Sequence, residues 1–396
     1  MNIPMRLALI CPPYPSHRRA FDALGRALVA RGHLVTVALA EGEDPAGAAD
    51  ILRIGPPTDT RALRSGAIGQ SIARTEALCA AAARFRGADA IIGDQTEPAS
   101  ALIAAHLGVP LISVACALPF DGGPGIPPPF LGWPFDPSER GLRRNAGGAR
   151  VADLILFRQN LAIRRWAKRL GVVGIARAGD CVSPLLTLSQ TLPGFDHPRG
   201  DSPVVELGPL RDAAPPASMF EPPRGQPFVY ASLGTLQGHR WRLLQTIAAG
   251  CRDAGARVLV SHGGGLSPQQ ARDVGADWIF DHVPQEAMLD RAALCITHGG
   301  LNTAMEALER HVPLVVIPLA FDQFGVAARV ERHGVGLRLG RHFLSRGAVR
   351  QAVERILRDP SFGRNAQRFG PGPGMDGAIR LIEERLRISP SFAAAR

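Results

Sequence analysis

Two runs of alternating strand-like and helix-like segments, separated by one proline-rich break, confine this chain to a parallel α/β architecture built twice. An apolar stretch over 6–11 reads as a buried strand. Over 18–31, Phe21, Leu24, Leu28 and Val29 recur at helical spacing, Gly32 stops that helix, and 34–39 returns as a strand. Strand, crossover helix and second strand make a right-handed βαβ unit. The pattern continues with a helix over 68–85, a strand over 90–93, a helix over 97–107 and a strand over 111–115. A proline- and glycine-rich loop spans 119–137, and 142–170 is helical, with Gly147 and Gly148 expected to split it in two. The break at 211–227 holds Pro215, Pro216, Pro222, Pro223 and Pro227 and reads as an interdomain linker. Beyond it strands are expected over 228–232, 257–260, 294–297 and 314–317, with helices over 240–250 and 303–309. A last helix over 377–387 runs into a small-residue tail.

The expected organisation is therefore an N-terminal Rossmann-like domain over 1–210, a linker over 211–227 and a C-terminal Rossmann-like domain over 228–375. Residues 376–396 form a C-terminal helix and tail. Two such halves leave a cleft between the carboxyl ends of their sheets, where ligands bind in open α/β folds.

Composition narrows the partners. The 396 residues carry 45 basic and 35 acidic side chains, a formal charge of +10, and Lys168 is the one lysine. The arginines are scattered rather than gathered in a block with aromatics, which argues against nucleic acid and for anionic small molecules or an anionic membrane surface. Cys11, Cys79, Cys116, Cys181, Cys251 and Cys295 lack the spacing of zinc or disulfide motifs, so buried reduced thiols in a cytoplasmic protein are expected. The apolar start at 5–11 is too short for a secretory signal and meets Pro12-Pro13 at once. His106, Pro110 and Ser113 interrupt the apolar run over 101–119, which reads as helix then strand rather than a membrane span.

The stretch 282–323 is the richest in chemistry. A strand ends at Ile296. Gly299 and Gly300 then expose backbone amides, and Asn302 or Thr303 is expected to cap the next helix. Free amides at a helix N-terminus bind anions. His298 adds a donor for a diphosphate, and Glu306, one turn on, suits a ribose diol. Asp322 and Gln323, after the next strand, suit sugar hydroxyls.

The run of His282, Val283, Gln285, His298, Gly299, Gly300, Asn302, Thr303, Glu306, Asp322 and Gln323 resembles the signature of nucleotide-sugar-dependent UDP-glycosyltransferases of the two-Rossmann GT-B class. The match covers about forty residues in order. It implies that His298, Asn302 and Thr303 hold the diphosphate, Glu306 the ribose, and Asp322 and Gln323 the transferred hexose, with glucose the usual sugar for an Asp-Gln ending. His282 stands where plant members often carry a tryptophan that stacks on uracil, which leaves UDP against TDP open. Ser232, Gly234 and Thr235 resemble the family's first C-domain phosphate loop.

In the N-terminal half, His17 opens the first helix and Asp94 ends a neighbouring strand. An imidazole oriented by a carboxylate can take a proton from an attacking hydroxyl near neutral pH. The resemblance places the family's His–Asp dyad on these two residues. No Asp-x-Asp element follows any strand, so neither a metal nor another cofactor is expected. Residues 95–99, 114–119 and 124–129, with the opening 12–17, are similar to the carotenoid (zeaxanthin) glucosyltransferases. Phe120, Ile126, Phe130 and Trp133 then become candidates for an apolar acceptor channel. The arginines of 142–170 fit either a solvated face or peripheral contact with the inner face of a membrane. The expected activity is inverting, metal-independent transfer of glucose from UDP-glucose to a hydroxyl of a hydrophobic acceptor, a carotenoid such as zeaxanthin. A macrolide, flavonoid or sterol acceptor, a nucleotide-sugar 2-epimerase and a non-catalytic nucleotide-sugar binder are the rival readings.

Overall fold

The computed structural model describes residues 3–43, 49–55, 66–212 and 225–388. Most of the expected linker and the whole C-terminal tail lie outside the described residues.

Two parallel sheets form. The first takes the order β3-β2-β1-β4-β5-β6-β7 from Arg6–Ile10 (β1), Leu34–Leu39 (β2), Asp50–Arg53 (β3), Ala90–Asp94 (β4), Leu111–Ala115 (β5), Thr187–Ser189 (β6) and Val204–Glu206 (β7). The second takes the order β10-β9-β8-β11-β12-β13 from Phe228–Ser232 (β8), Arg257–Ser261 (β9), Trp278–Phe280 (β10), Leu294–Thr297 (β11), Leu314–Val316 (β12) and Gly336–Arg338 (β13). The central strands are buried along nearly their whole length because helices cover both faces, which is why their sequences read as continuous apolar runs. The short edge strands β3, β7, β10 and β13 and the inner strand β6 go unannounced in the sequence. In each sheet the strand order reverses at one place, between β1 and β4 and between β8 and β11. A parallel sheet opens a crevice at such a reversal.

The helical stretch after the proline-rich loop divides at Leu156, into Glu139–Ile155 and Phe157–Leu170, and not at Gly147-Gly148. Gly148 is a packing notch instead. A Cβ there would sit 2.8 Å from Leu131 and 2.9 Å from Trp133, so the glycine lets the 119–137 loop lie against the helix. The last helix, Gly374–Ile388, returns to the first sheet: Ala378, Ile379, Ile382 and Leu386 join the core of β1, β2 and the first helix, Pro15–Ala30. Glu383 on it accepts from Arg31 at 3.0 and 2.9 Å. All six cysteines are buried and unpaired. Among the described residues no helix is long and apolar enough to cross a membrane.

The halves meet along the helix Gln323–His333. Its Arg329, buried, donates to Asp196 Oδ1 at 2.7 Å from Nε, while Arg199 holds the other carboxylate oxygen at 2.8 Å. His333 Nε2 reaches Phe195 O at 2.9 Å, and the Gly325 amide donates to Pro129 O at 3.0 Å. Removing one partner of a buried ion pair strands the other charge. Asp196→Ala is therefore expected to lose about 3–5 kcal/mol in chemical denaturation. Asp196→Leu combined with Arg329→Met is expected to recover only part of it, because Arg199 is left without its carboxylate.

Candidate active site

The two crevices carry the chemistry. Asp94, the last residue of β4, is fully enclosed. Its Oδ1 accepts from the Thr96 amide at 2.8 Å and the Thr96 hydroxyl at 2.5 Å. Its Oδ2 lies 2.7 Å from His17 Nδ1. His17 sits in the first turn of Pro15–Ala30, placed there by the Pro12-Pro13-Tyr14-Pro15 turn that follows β1. Burial works against charge on His17, but the Asp94 charge and hydrogen bond, with Asp322 adding to them, outweigh it and raise its pKa above the usual imidazole value. Burial likewise opposes the Asp94 charge, and His17 and Thr96 more than compensate, so its pKa is lowered. Nδ1 is thereby committed to Asp94 and Nε2 is left for other chemistry. Cys116 Sγ also lies close to both groups. Burial pushes that thiol well up.

The facing crevice is built around His298, after β11. Its ring is wedged between two glycines: a Cβ at Gly234 or at Gly300 would lie 2.8 or 2.7 Å from its Cε1. Gly234 and Gly299 adopt φ of 68° and 87°, and a Cβ on Gly299 would strike Val316 at 2.7 Å. Burial lowers the His298 pKa to about 4, so the ring is neutral at physiological pH. The helix Leu301–Glu309 begins immediately after. Gly300 is its N-cap, and Asn302 and Thr303 fall inside the first turn rather than at the cap. With no capping side chain on that terminus, its first amides remain available to an anion. Ser232 Oγ accepts from the Gly234 amide at 3.2 Å and so shapes the neighbouring loop, while Thr235 lies in the short helix Gly234–Gln237.

The remaining candidates divide. Glu306 is 1% exposed and accepts from Gln285 Nε2 at 2.6 Å. Gln285 Oε1 in turn accepts from the Tyr230 hydroxyl at 3.1 Å and the Thr303 hydroxyl at 3.3 Å. Burial raises the Glu306 pKa. Asp322, whose pKa burial also raises, accepts from the Leu118 amide at 2.9 Å and stands within electrostatic reach of His17. Gln323 spends its oxygen on the Leu319 and Ala320 amides, both at 2.8 Å, and holds the turn that aims Asp322. His282 is exposed, and Val283 packs against the second core. Of the acceptor candidates, Phe120 and Phe130 keep open surface and Ile126 is buried. Trp133 lies between Gly148 and the guanidinium of Arg144, 5.2 Å from its ring.

The two crevices are one cleft. Asn302 Nδ2 donates to Ser16 O at 3.2 Å, so the amide cradle and the residue before His17 are in contact. An ionic bridge stands beside it that no motif announces. Arg19, two residues past His17, donates to Glu306 at 3.0 Å and to Glu286 at 2.8 Å across the cleft. Arg310 Nη2 joins Glu286 at 2.7 Å, and Arg211 Nε lies 3.2 Å from the same carboxylate. The Arg19 pairs join the two halves, and no local spacing marks them.

Comparison with known proteins shows the family and the fold. Residues 217–370 match the family described as UDP-glucoronosyl and UDP-glucosyl transferase. Zeaxanthin glucosyltransferase of Pseudescherichia vulneris is 36% identical over 98% of this chain and 99% of its own length. That of Pantoea ananas is 36% identical over 87% and 86%. Among solved structures, a calicheamicin glycosyltransferase superposes with a TM-score of 0.76 at 20% identity, covering 98% of this chain and 100% of that one.

The paired shifts on His17 and Asp94 give a check that needs no substrate. An NMR titration of His17 is expected to show a pKa above the ordinary value of about 6.5. In Asp94→Asn, with the charge gone and burial left, it is expected to fall below that value.

Proposed function

The chain belongs to the UDP-glucoronosyl and UDP-glucosyl transferase family and is a glycosyltransferase of GT-B fold, and from that premise we propose that it moves glucose from UDP-glucose to a hydroxyl of a carotenoid such as zeaxanthin, with inversion and without a metal. The observation that carries this reading is the placement of an Asp94-held imidazole and an uncapped amide cradle on facing walls, with Asn302 touching Ser16 between them.

His17 Nε2 takes the proton of the acceptor hydroxyl. The oxygen attacks the anomeric carbon from the face opposite the diphosphate. The bond from that carbon to the β-phosphate oxygen breaks, and its electron pair leaves with UDP. The amides of the Leu301–Glu309 terminus and the neutral His298 donate to the charge that grows there. Because His298 is neutral before the donor arrives, it acts as a hydrogen-bond donor, and an anion beside it favours proton uptake. Glu306 takes the ribose diol once the half-exposed Arg19 guanidinium yields its place. Asp322, hanging over the cleft beside His17, takes hexose hydroxyls. The carotenoid acceptor is supported by the near full-length likeness to two zeaxanthin glucosyltransferases. Phe120 and Phe130 are the apolar side chains with surface to offer it.

His17→Ala is expected to cut turnover by about 100- to 10,000-fold, the usual yield of a general base, while UDP-glucose affinity stays within about two-fold. Full turnover in that variant would sink the mechanism. With wild type, kcat/KM is expected to rise with pH along an acid limb centred above about 6.5, because the raised His17 pKa delays formation of the free base.

His298→Ala is expected to weaken UDP by about 10- to 100-fold in calorimetry, the worth of a hydrogen bond to a charged group. An acceptor panel read by mass spectrometry with UDP-glucose and TDP-glucose fixes donor and acceptor together. Product from donor alone would point to an epimerase.

A further inference from the structure

The two helices that follow the proline-rich loop bury polar side chains and expose apolar ones around their junction. The second helix holds on to the core through Ile163 and Ala167. On Glu139–Ile155 and Phe157–Leu170 the enclosed positions nevertheless include the polar Asn145, Gln159 and Asn160. Gln159 is fixed to Ser71 Oγ at 2.8 Å, and Asn160 accepts from the Ala178 amide at 3.0 Å. Five large apolar side chains there face solvent: Val151, Leu154, Ile155, Phe157 and Leu161 are between 46% and 75% exposed. By their spacing Val151, Leu154 and Ile155 share one face of the first helix, and Phe157 and Leu161 one face of the second. A soluble surface scatters such residues singly. Five of them within one stretch, 151–161, mark an interaction site.

Charge identifies the partner. Residues 139–170 hold nine basic and two acidic side chains, a surplus of seven in a chain whose net charge is +10. The two acids are already paired, Glu139 with Arg143 at 2.8 Å and Asp153 with Arg177 at 3.3 Å. Arg150, Arg158 and Arg164 flank the apolar group, are exposed, and have no ion pair among the described residues. A second copy of the same face would meet this one with like charge. A surface that is apolar within and anionic at its rim complements it, and an anionic bilayer is such a surface.

We propose that this bent helix pair seats the enzyme on anionic lipid, with Leu154 and Phe157 in the acyl boundary and Arg150, Arg158 and Arg164 among the headgroups. The 119–137 loop packs on Gly148 of the same pair through Leu131 and Trp133. Seating there brings the Phe120–Phe130 side of the cleft to the lipid. That last consequence rests on the apolar-acceptor reading above, whereas the docking itself does not.

The test is co-sedimentation of the full chain with vesicles, without substrate. Binding is expected to vesicles of mixed phosphatidylglycerol and phosphatidylcholine and not to phosphatidylcholine alone, and to weaken as salt rises. Leu154→Glu with Phe157→Glu, and separately Arg150→Glu with Arg158→Glu and Arg164→Glu, are each expected to lower the bound fraction about ten-fold or more. Glycosyl transfer to a water-soluble phenolic acceptor is expected to be unchanged in both. No binding to the anionic vesicles, or equal binding by the variants, overturns the proposal. So does a vesicle-free dimer that the Leu154→Glu, Phe157→Glu variant dissolves. Failure of wild type to glycosylate any acceptor would count against the proposed function and leave the vesicle result standing.

Discussion

The buried pair of Arg329 and Asp196 governs how the halves of this molecule address each other. Arg329 lies two turns along a helix whose N-cap is Asp322. Fixing that helix against the 195–199 loop sets Asp322 beside Leu118 and within electrostatic reach of His17. A buried ion pair gives little net stability against an apolar replacement, yet it tolerates almost no misplacement once formed. It is suited to setting register between two domains, and here the register decides whether an imidazole on one half faces the phosphate cradle on the other.

The cradle itself is a matter of exclusion. Gly234, Gly299 and Gly300 leave no room for a Cβ; the His298 ring fills what Gly234 and Gly300 vacate, and Val316 closes on Gly299. Packing drives the imidazole to its neutral form, and the helix end beside it carries amides with no capping side chain. A neutral donor and a set of fixed backbone dipoles can meet a diphosphate without a standing positive charge that would have to be desolvated first. In the structure the cleft is spanned by Arg19 on Glu306 and Glu286, so any ligand that takes Glu306 must first displace an ion pair.

Much of this was readable along the chain because it is local. Pro15 and His17 open a helix after a strand, Asp94 ends the adjacent strand, and the amides at 299–303 follow from two glycines in front of a helix. What misled was also local. Gly147-Gly148 reads as a helix break by propensity, but the helix runs through it because Leu131 and Trp133 need the notch, and the bend falls at Leu156 instead. Asn302 and Thr303 read as caps, but the chain turns into the helix two residues before Asn302, at Gly300. Gln323 reads as a sugar ligand, and only the fold shows that its amide oxygen also closes the turn that presents Asp322.

The order of residues by itself determined two doubly wound halves and the identity of the groups at their strand ends, since hydrophobic period, glycine placement and strand termini are properties of neighbours in the chain. Tertiary structure alone decided which of those ends confront each other: His17 with Asp94 and Asp322, Asn302 with Ser16, Arg19 with Glu306. It also decided that the last helix belongs to the first sheet, and that the arginine-rich pair turns its leucines and phenylalanine outward. Those outcomes depend on contacts between residues tens to hundreds of positions apart, whose energies come from burial and charge pairing that no local pattern encodes.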